Sequence, residues 1–226
     1  MTRVSVVVPV YGNADTLRPL AERLAAALAG RNWRLRLVID ASPDDSVAVA
    51  GALVAEDPRI VGTFLTVNVG QHAALAEGLA AETDADVWVC LDADLQDPPE
   101  AVPLLLDRLA VGDVGAVFAG RRGRYESLPR RLTGSVHRWT AARLTGLPPD
   151  AGAFLAMAPA VRAAVLTAVA DEDAPSVVLG VARAGVPVTS VPVVRDRRSG
   201  GRSAWTGRAR LRQSARSLSW ALRHRR

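Results

Sequence analysis

An α/β fold with a mostly parallel central sheet flanked by helices is predicted by three features of the sequence. Short apolar runs alternate with helical patterns, the alternation repeats about every 30 residues, and acidic residues close several of the runs. Residues 4–10 form a nearly continuous apolar run that stops at Tyr11-Gly12-Asn13, the pattern of a strand buried on both faces. Leu17, Leu20, Leu24 and Leu28 then recur at helical spacing over 15–29, with Gly30 as the stop signal. Residues 35–39 make a second strand with Asp40 at its carboxyl end, and 46–56 a helix closed by Asp57-Pro58. A third strand over 60–67 and a helix over 71–81 follow. The fourth strand, 87–91, ends in Asp92 and Asp94. Pro98-Pro99-Glu100 opens a helix through Leu109, with proline in the first turn, where it loses no hydrogen bond. Residues 114–119 are the fifth strand.

Beyond residue 120 the pattern loosens. Residues 121–131 read as a basic loop leading into a helix at about 130–145, and 147–152 as a turn before an apolar segment around Phe154. A helix is expected over 159–170, and 186–194 alternates as a strand that Pro187 and Pro192 confine to a sheet edge. From Trp205 onward, Leu211, Ala215, Leu218 and Leu222 share one helical face, while Arg208, Arg212, Arg216 and Arg223 largely occupy others. The chain therefore divides into a body, 1–204, and a basic amphipathic C-terminal helix, 205–226. Two fates of that helix stay open: lying on an anionic membrane surface, or packing its leucine stripe on the body.

A chain of 226 residues, 49% hydrophobic and 23% charged, supports one sizeable core without staples, and a lone Cys90 excludes a disulfide framework. No apolar run reaches the length of a membrane-spanning helix, and the first run is too short for a signal peptide. A cytoplasmic protein, peripheral at the inner membrane face if the tail binds lipid, is the expectation. All cations are arginine, and residues 195–226 hold 11 of them against one acid, Asp196, leaving the rest of the chain at −5 within a total of +5. An acidic body with a basic tail seeks phosphates: nucleic acid, anionic lipid or a phosphorylated substrate. The bland alternative is a solvated helix. A nucleic-acid partner is disfavoured, because an acidic body and an apolar stripe predict weak, sequence-blind binding.

The strongest chemical signal is Asp92-Ala93-Asp94-Leu95-Gln96-Asp97. Where the chain turns after the strand, two carboxylates one residue apart can converge on a hard cation, Mg2+ or Mn2+, which keeps positions free for substrate phosphates. The other reading is a turn whose aspartate caps the following helix. No G-x-G-x-x-G follows the first strand and no P-loop string occurs, so dinucleotide and P-loop chemistry are disfavoured.

These residues resemble a family. Val6-Val7-Val8-Pro9-Val10-Tyr11 is similar to the opening strand of family-2 glycosyltransferases, and Ile39-Asp40-Ala41-Ser42-Pro43-Asp44-Asp45-Ser46 to their Asp-Asp-Gly-Ser-x-Asp-x-Ser/Thr segment. The runs Asn68 to Gly78 and Asp92 to Glu100 resemble the polyprenyl-phosphate branch of dolichol-phosphate mannose synthase type, as does the late Arg198-Ser199-Gly200-Gly201-Arg202-Ser203. The resemblance implies a GT-A type fold that takes a nucleotide-sugar donor with Mg2+ or Mn2+. It implies that Asp40 bonds the nucleobase beside Pro9 and Tyr11, and that Asp92, Asp94 and Gln96 hold the metal and the donor diphosphate. Arg121, Arg131, Arg198 and Arg202 would grip phosphates, with Asn68, Gly70 and Ser203 also lining the substrate site. This chain departs from the pattern at Ala14, Ile39, Ala41, Ala204 and Leu155-Ala156. The implied activity is inverting transfer of a hexose from GDP-mannose or a UDP-hexose to a polyprenyl phosphate. The alternative keeps the donor and uses a soluble hydroxyl acceptor.

The acceptors differ in what they need. A lipid phosphate is already an anion and attacks without a base, held in line by planar arginine forks. A hydroxyl needs a carboxylate or imidazole within about 3 Å. Asp150, Asp171, Glu172 and Asp173 are the candidates, whereas His72 and His137 read as helix or turn residues.

Overall fold

The computed structural model describes residues 2–122, 145–171, 174–196, 215–217, 219–220 and 222–223. Among them a seven-stranded sheet runs in the order β3-β2-β1-β4-β6-β5-β7. Its elements follow in chain order: β1 (Arg3–Val10), α1 (Ala14–Ala27), β2 (Asn32–Asp40), α2 (Ser46–Glu56), β3 (Ile60–Leu65), α3 (Gln71–Ala81) and β4 (Val87–Cys90). A 3-10 turn, Pro99–Ala101, leads into α4 (Val102–Ala110), then β5 (Ala116–Arg122), β6 (Leu155–Met157), α5 (Pro159–Asp171), α6 (Val177–Val181) and β7 (Val188–Val194). The first four strands are parallel, with β1 paired to both β2 and β4.

The expected parallel α/β core is present. Residues 4–10 of β1 are all buried, as a strand covered on both faces must be. Its alternate residues feed two cores. Val4, Val6, Val8 and Val10 join Leu17, Leu20 and Leu24 of α1 and Leu105 of α4 on one side. Val7 joins Leu75 and Leu79 of α3 and Val161 and Val165 of α5 on the other. The period of two in a strand is what delivers successive side chains to opposite layers.

Gly78 shows how closely α3 lies on the sheet. A Cβ there would run into Val7 Cγ1 and Val38 Cγ2, so the helix backbone itself rests on β1 and β2. Replacing Gly78 with alanine is expected to destabilise the fold by about 1–3 kcal/mol despite alanine's better helix propensity. Urea denaturation measures this, with a lowered midpoint at unchanged slope.

Two elements differ from expectation. The segment after Phe154 is a three-residue strand, β6, inserted antiparallel between β4 and β5. The helix α6, capped by Ser176 Oγ accepting from Leu179 N at 3.2 Å, stands where no element was expected. The fifth strand also extends into the basic cluster, ending at Arg122. β7 is an edge strand, as its prolines require, and runs parallel to β5 with Pro192 opposite Gly120.

The expected helix at about 130–145 lies mostly outside the described residues, as do residues 205–214 of the tail. In the tail, residues 215–217, 219–220 and 222–223 are helical. The described residue of the tail that packs into the core is Trp220, 1% exposed, in the cluster around α3 and α5. Ala215 and Leu222, from the expected stripe, are exposed. Packing on the body therefore runs through a tryptophan on another face of the helix, because a large ring buries more apolar area than any leucine.

Candidate active site

The carboxyl ends of β1, β2, β4, β5 and β7 lie at one edge of the sheet, where ligands bind in open α/β folds. Three hydrogen-bond systems shape that edge.

The first ties the loop after β1 to the loop after β2. Asp44 Oδ1 accepts from Ser42 Oγ and Ser46 Oγ, both at 2.6 Å, and its Oδ2 accepts from Ala14 N at 2.9 Å. Gly12 N donates to Ser42 Oγ at 2.7 Å and Asn13 N to Ser46 Oγ at 3.3 Å. The Ser-x-Asp-x-Ser string thus holds the turn that presents Tyr11, which is 44% exposed at the end of β1. Pro9 is buried inside β1, opposite Val38. Ala41, where the family pattern has glycine, sits at φ +47°, a conformation that costs an L-residue about 1 kcal/mol.

Burial pushes the Asp44 carboxyl up, but the two serine hydroxyls and the Ala14 and Ser46 amides outweigh it and hold the group at about 2. A depressed value means that stability is full above the ordinary 3.8 and is lost as pH falls through 2. After discounting for its exposure, the loss expected is on the order of 1 kcal/mol. Thermal unfolding between pH 5 and 2 checks this; the Asp44→Asn protein should show a shallower acid limb.

The second system starts from Asp40, 2% exposed. Its Oδ1 accepts from Val69 N at 2.7 Å and its Oδ2 from Gly70 N at 2.8 Å, while Asn68 Nδ2 donates to the Asp40 carbonyl at 3.1 Å. Gly70, at φ +89°, then turns the chain into α3. The first residue of that helix, Gln71, donates through Nε2 to Asp92 Oδ1 at 2.6 Å. Asp40, Asn68 and Gly70 are thus brought together, and Gln71, a member of the same motif, is the link to Asp92 that the sequence reading did not single out. Its place at the helix start was the available signal.

The third is the aspartate loop. The chain turns at Ala93 and Asp94, and burial alternates: Leu91, Ala93, Leu95 and Asp97 are buried, while Asp92, Asp94 and Gln96 are half-buried. Asp94 Oδ1 accepts from Gln96 N at 3.1 Å, and Thr16 Oγ1 donates to the Ala93 carbonyl at 2.7 Å. Leu95 has φ +58°, an unfavourable conformation for a branched side chain. Beyond it, Asp97 pairs with Arg195 and Gln96 O accepts from Asp196 N at 2.9 Å.

Among the described residues, no three His, Cys, Asp or Glu side chains form a metal-binding group. The residues at this edge that could hold a cation, Asp92, Asp94 and Gln96, would offer two carboxylates and an amide oxygen, all oxygen donors. That chemistry fits Mg2+ or Mn2+ sharing its remaining positions with water and phosphate, and does not fit a closed protein cage.

Other candidates sort plainly. Asp150 lies against the end of β5, where a Cβ at Gly120 would meet its Oδ2. Burial lowers His72 to about 4, so it is neutral at pH 7, and its Nδ1 is buried among the residues of the fold. Burial pushes the Cys90 thiol up, with the Asp92 charge adding to it, which makes it an inert core residue. Arg121 is in β5 with its side chain outside the described residues, and Arg131, His137, Glu172, Asp173, Arg198, Arg202 and Ser203 lie outside them altogether.

This sheet order and site edge define a GT-A type fold. A mannosyltransferase from Pyrobaculum calidifontis in complex with GDP-Man and Mn2+ superposes with a TM-score of 0.71 at 20% identity, over 99% of this chain and 65% of that one. Glucosyl-3-phosphoglycerate synthase from Mycobacterium tuberculosis, in complex with Mn2+, UDP and glucosyl-3-phosphoglycerate, gives 0.65 at 20% identity over 98% and 78%. The chain belongs to glycosyl transferase family 2, whose model matches residues 5–153. It is 38% identical over 149 residues to the undecaprenyl-phosphate 4-deoxy-4-formamido-L-arabinose transferase of Klebsiella pneumoniae, and 40% identical over 147 residues to that of Pectobacterium carotovorum. These matches cover 64% and 63% of this chain and 44% of each relative, so the chain spans less than half of the length of the curated relatives it matches. No helix among the described residues is long and apolar enough to cross a membrane.

Proposed function

We propose that this chain is a metal-dependent, inverting glycosyltransferase that moves a hexose from a nucleotide diphosphate sugar, GDP-mannose or a UDP-hexose, to a polyprenyl phosphate. The observation that carries the reading is the half-buried row of Asp92, Asp94 and Gln96 at the carboxyl end of β4, wired through Gln71 to the Asp40 loop. The names of the relatives, which act on undecaprenyl phosphate, support the acceptor, and the solved neighbours with Mn2+ and nucleotides support the donor and the metal.

In this reading Tyr11 and Pro9 border the nucleobase, and Asp40 contacts it through lone pairs left after Val69 and Gly70. Asp92, Asp94 and Gln96 would hold Mg2+ or Mn2+, which when bound neutralises the donor diphosphate as a leaving group. The protein's own part is positioning: Gln71 orients Asp92, the Asp94–Gln96 bond fixes the turn, and Arg121, Arg131, Arg198 and Arg202 grip the phosphates. A lipid phosphate then attacks the anomeric carbon from the opposite side, and no proton need be moved. The tail would meet an anionic membrane surface with Arg216 and Arg223, both exposed, while Trp220 anchors it to the body.

One observation favours a second reading, a hydroxyl acceptor: Asp150 stands at the carboxyl end of β5, where a general base would be useful. Incubation with radiolabelled nucleotide sugar, Mn2+ and polyprenyl phosphate separates the two. The first reading expects label in an organic-extractable, mild-acid-labile product. Label that stays in the aqueous phase with a hydroxyl acceptor establishes the second.

A further inference from the structure

We propose that Arg195 is a positioning residue for the aspartate loop, clamping the end of β7 to the residues that hold the donor; the inference rests on the reading of Asp92, Asp94 and Gln96 given above. Arg195 Nε lies 2.6 Å from Asp97 Oδ1 and its Nη2 donates to Asp97 Oδ2 at 2.8 Å. The two side chains are 10% and 2% exposed. The next residue, Asp196, donates its backbone N–H to the carbonyl of Gln96 at 2.9 Å. Its carboxylate is 3.5 Å from Arg23 Nη2, and Arg23 in turn grips Glu100 at 2.7 and 2.8 Å. Residues 96–100 are therefore bracketed on both flanks.

The topology explains why such a clamp is needed. The loop leaves β4, yet β7 stands three strands away in the sheet order, roughly 14 Å at ordinary strand spacing. The loop and the chain leaving β7 meet across that distance without sheet pairing, and the loop carries Leu95 at φ +58° between Asp94 and Gln96. A strained turn persists only when its surroundings over-determine it. One hydrogen bond, from Arg195 Nη2, holds the Asp97 carboxylate, and Nε lies against the same carboxylate as a buried charge contact without hydrogen-bonding to it. The pair also ties the ligand-bearing loop to the chain that continues, three residues after Arg195, into the Arg198-to-Ser203 segment.

A merely structural ion pair would stabilise the fold and leave metal affinity alone, so the test separates the two. Mn2+ binding is followed by the electron paramagnetic resonance of the free ion, with UDP or GDP present, on the full chain. The proteins are wild type, Asp94→Ala, Arg195→Lys and the double variant Arg195→Met/Asp97→Leu. Replacing a buried pair by apolar side chains of similar size is often neutral for stability, and thermal unfolding checks that. The double variant should bind Mn2+ about 10-fold more weakly, or worse, as loss of an outer-shell partner usually does. Arg195→Lys, which keeps the charge but loses the planar guanidinium, should fall between it and wild type. Folded variants that bind within about twofold of wild type overturn the inference while leaving the site intact, because such an effect is below that range. If wild type binds no Mn2+, or Asp94→Ala binds as wild type does, the reading of the site fails and the inference fails with it.

Discussion

The Asp94→Ala protein is expected to fold normally and to lose sugar transfer about a thousandfold or more, since the lost charge stabilisation of the leaving diphosphate is of several kcal/mol. Asp94 is half-buried at a turn, not in either core, so its removal leaves no cavity among packed apolar side chains. It also releases the Gln96 backbone N–H held at 3.1 Å, so the turn that would present the Gln96 side chain loosens as the Asp94 carboxylate is lost. The effect should therefore appear in kcat with saturating donor, and added Mn2+ should recover only part of it. Circular dichroism and a thermal midpoint near that of wild type identify the loss as chemical.

The second large effect is expected at Asp40, and there it is one of stability. Its two carboxylate oxygens are the acceptors for Val69 N and Gly70 N at 2.7 and 2.8 Å, in a residue 2% exposed. Asp40→Ala leaves both amides without that acceptor, and at about 1–3 kcal/mol for each unsatisfied group the total should reach roughly 2–4 kcal/mol once water has relaxed part of it. Donor affinity should fall as well, because the 68–70 loop sets the start of α3 and hence the Gln71 contact to Asp92. Urea denaturation with and without nucleotide measures both. Asp40→Asn, which keeps one carbonyl acceptor, should lie between alanine and wild type.

Much of the amino-terminal half was legible because β1, β4 and the end of β2 are buried on both faces and appear as apolar runs between helical patterns. The helices Ser46–Glu56 and Gln71–Ala81 occupy the residues their spacing indicates, since Asp57-Pro58 and Gly70 punctuate them. The strand β6 left no such signal: Leu155–Met157 is three residues long, and its place is set by pairing with β4 and β5, which lie far from it in sequence. Trp220 was hidden by the leucine stripe, because a helical pattern records which face is apolar and not which single ring finds a cavity. At the site, the motif residues Asp40, Asn68, Gly70, Asp92 and Asp94 were visible as letters, but their wiring was not. The Asp40 carboxylate serves backbone amides, and the Arg195–Asp97 pair joins residues 98 apart, so no local spacing could announce either.

The central claim is that the aspartate loop clamps an activated sugar through a divalent cation. Crystals grown with Mn2+ and a nucleoside diphosphate, examined by anomalous diffraction at the manganese edge, test it most directly. The account predicts one strong peak within coordination distance of the Asp92 and Asp94 carboxylates and of a diphosphate oxygen, beside Gln96. A diphosphate bound at the sheet edge with the manganese elsewhere, or with both carboxylates turned away from it, would contradict the account.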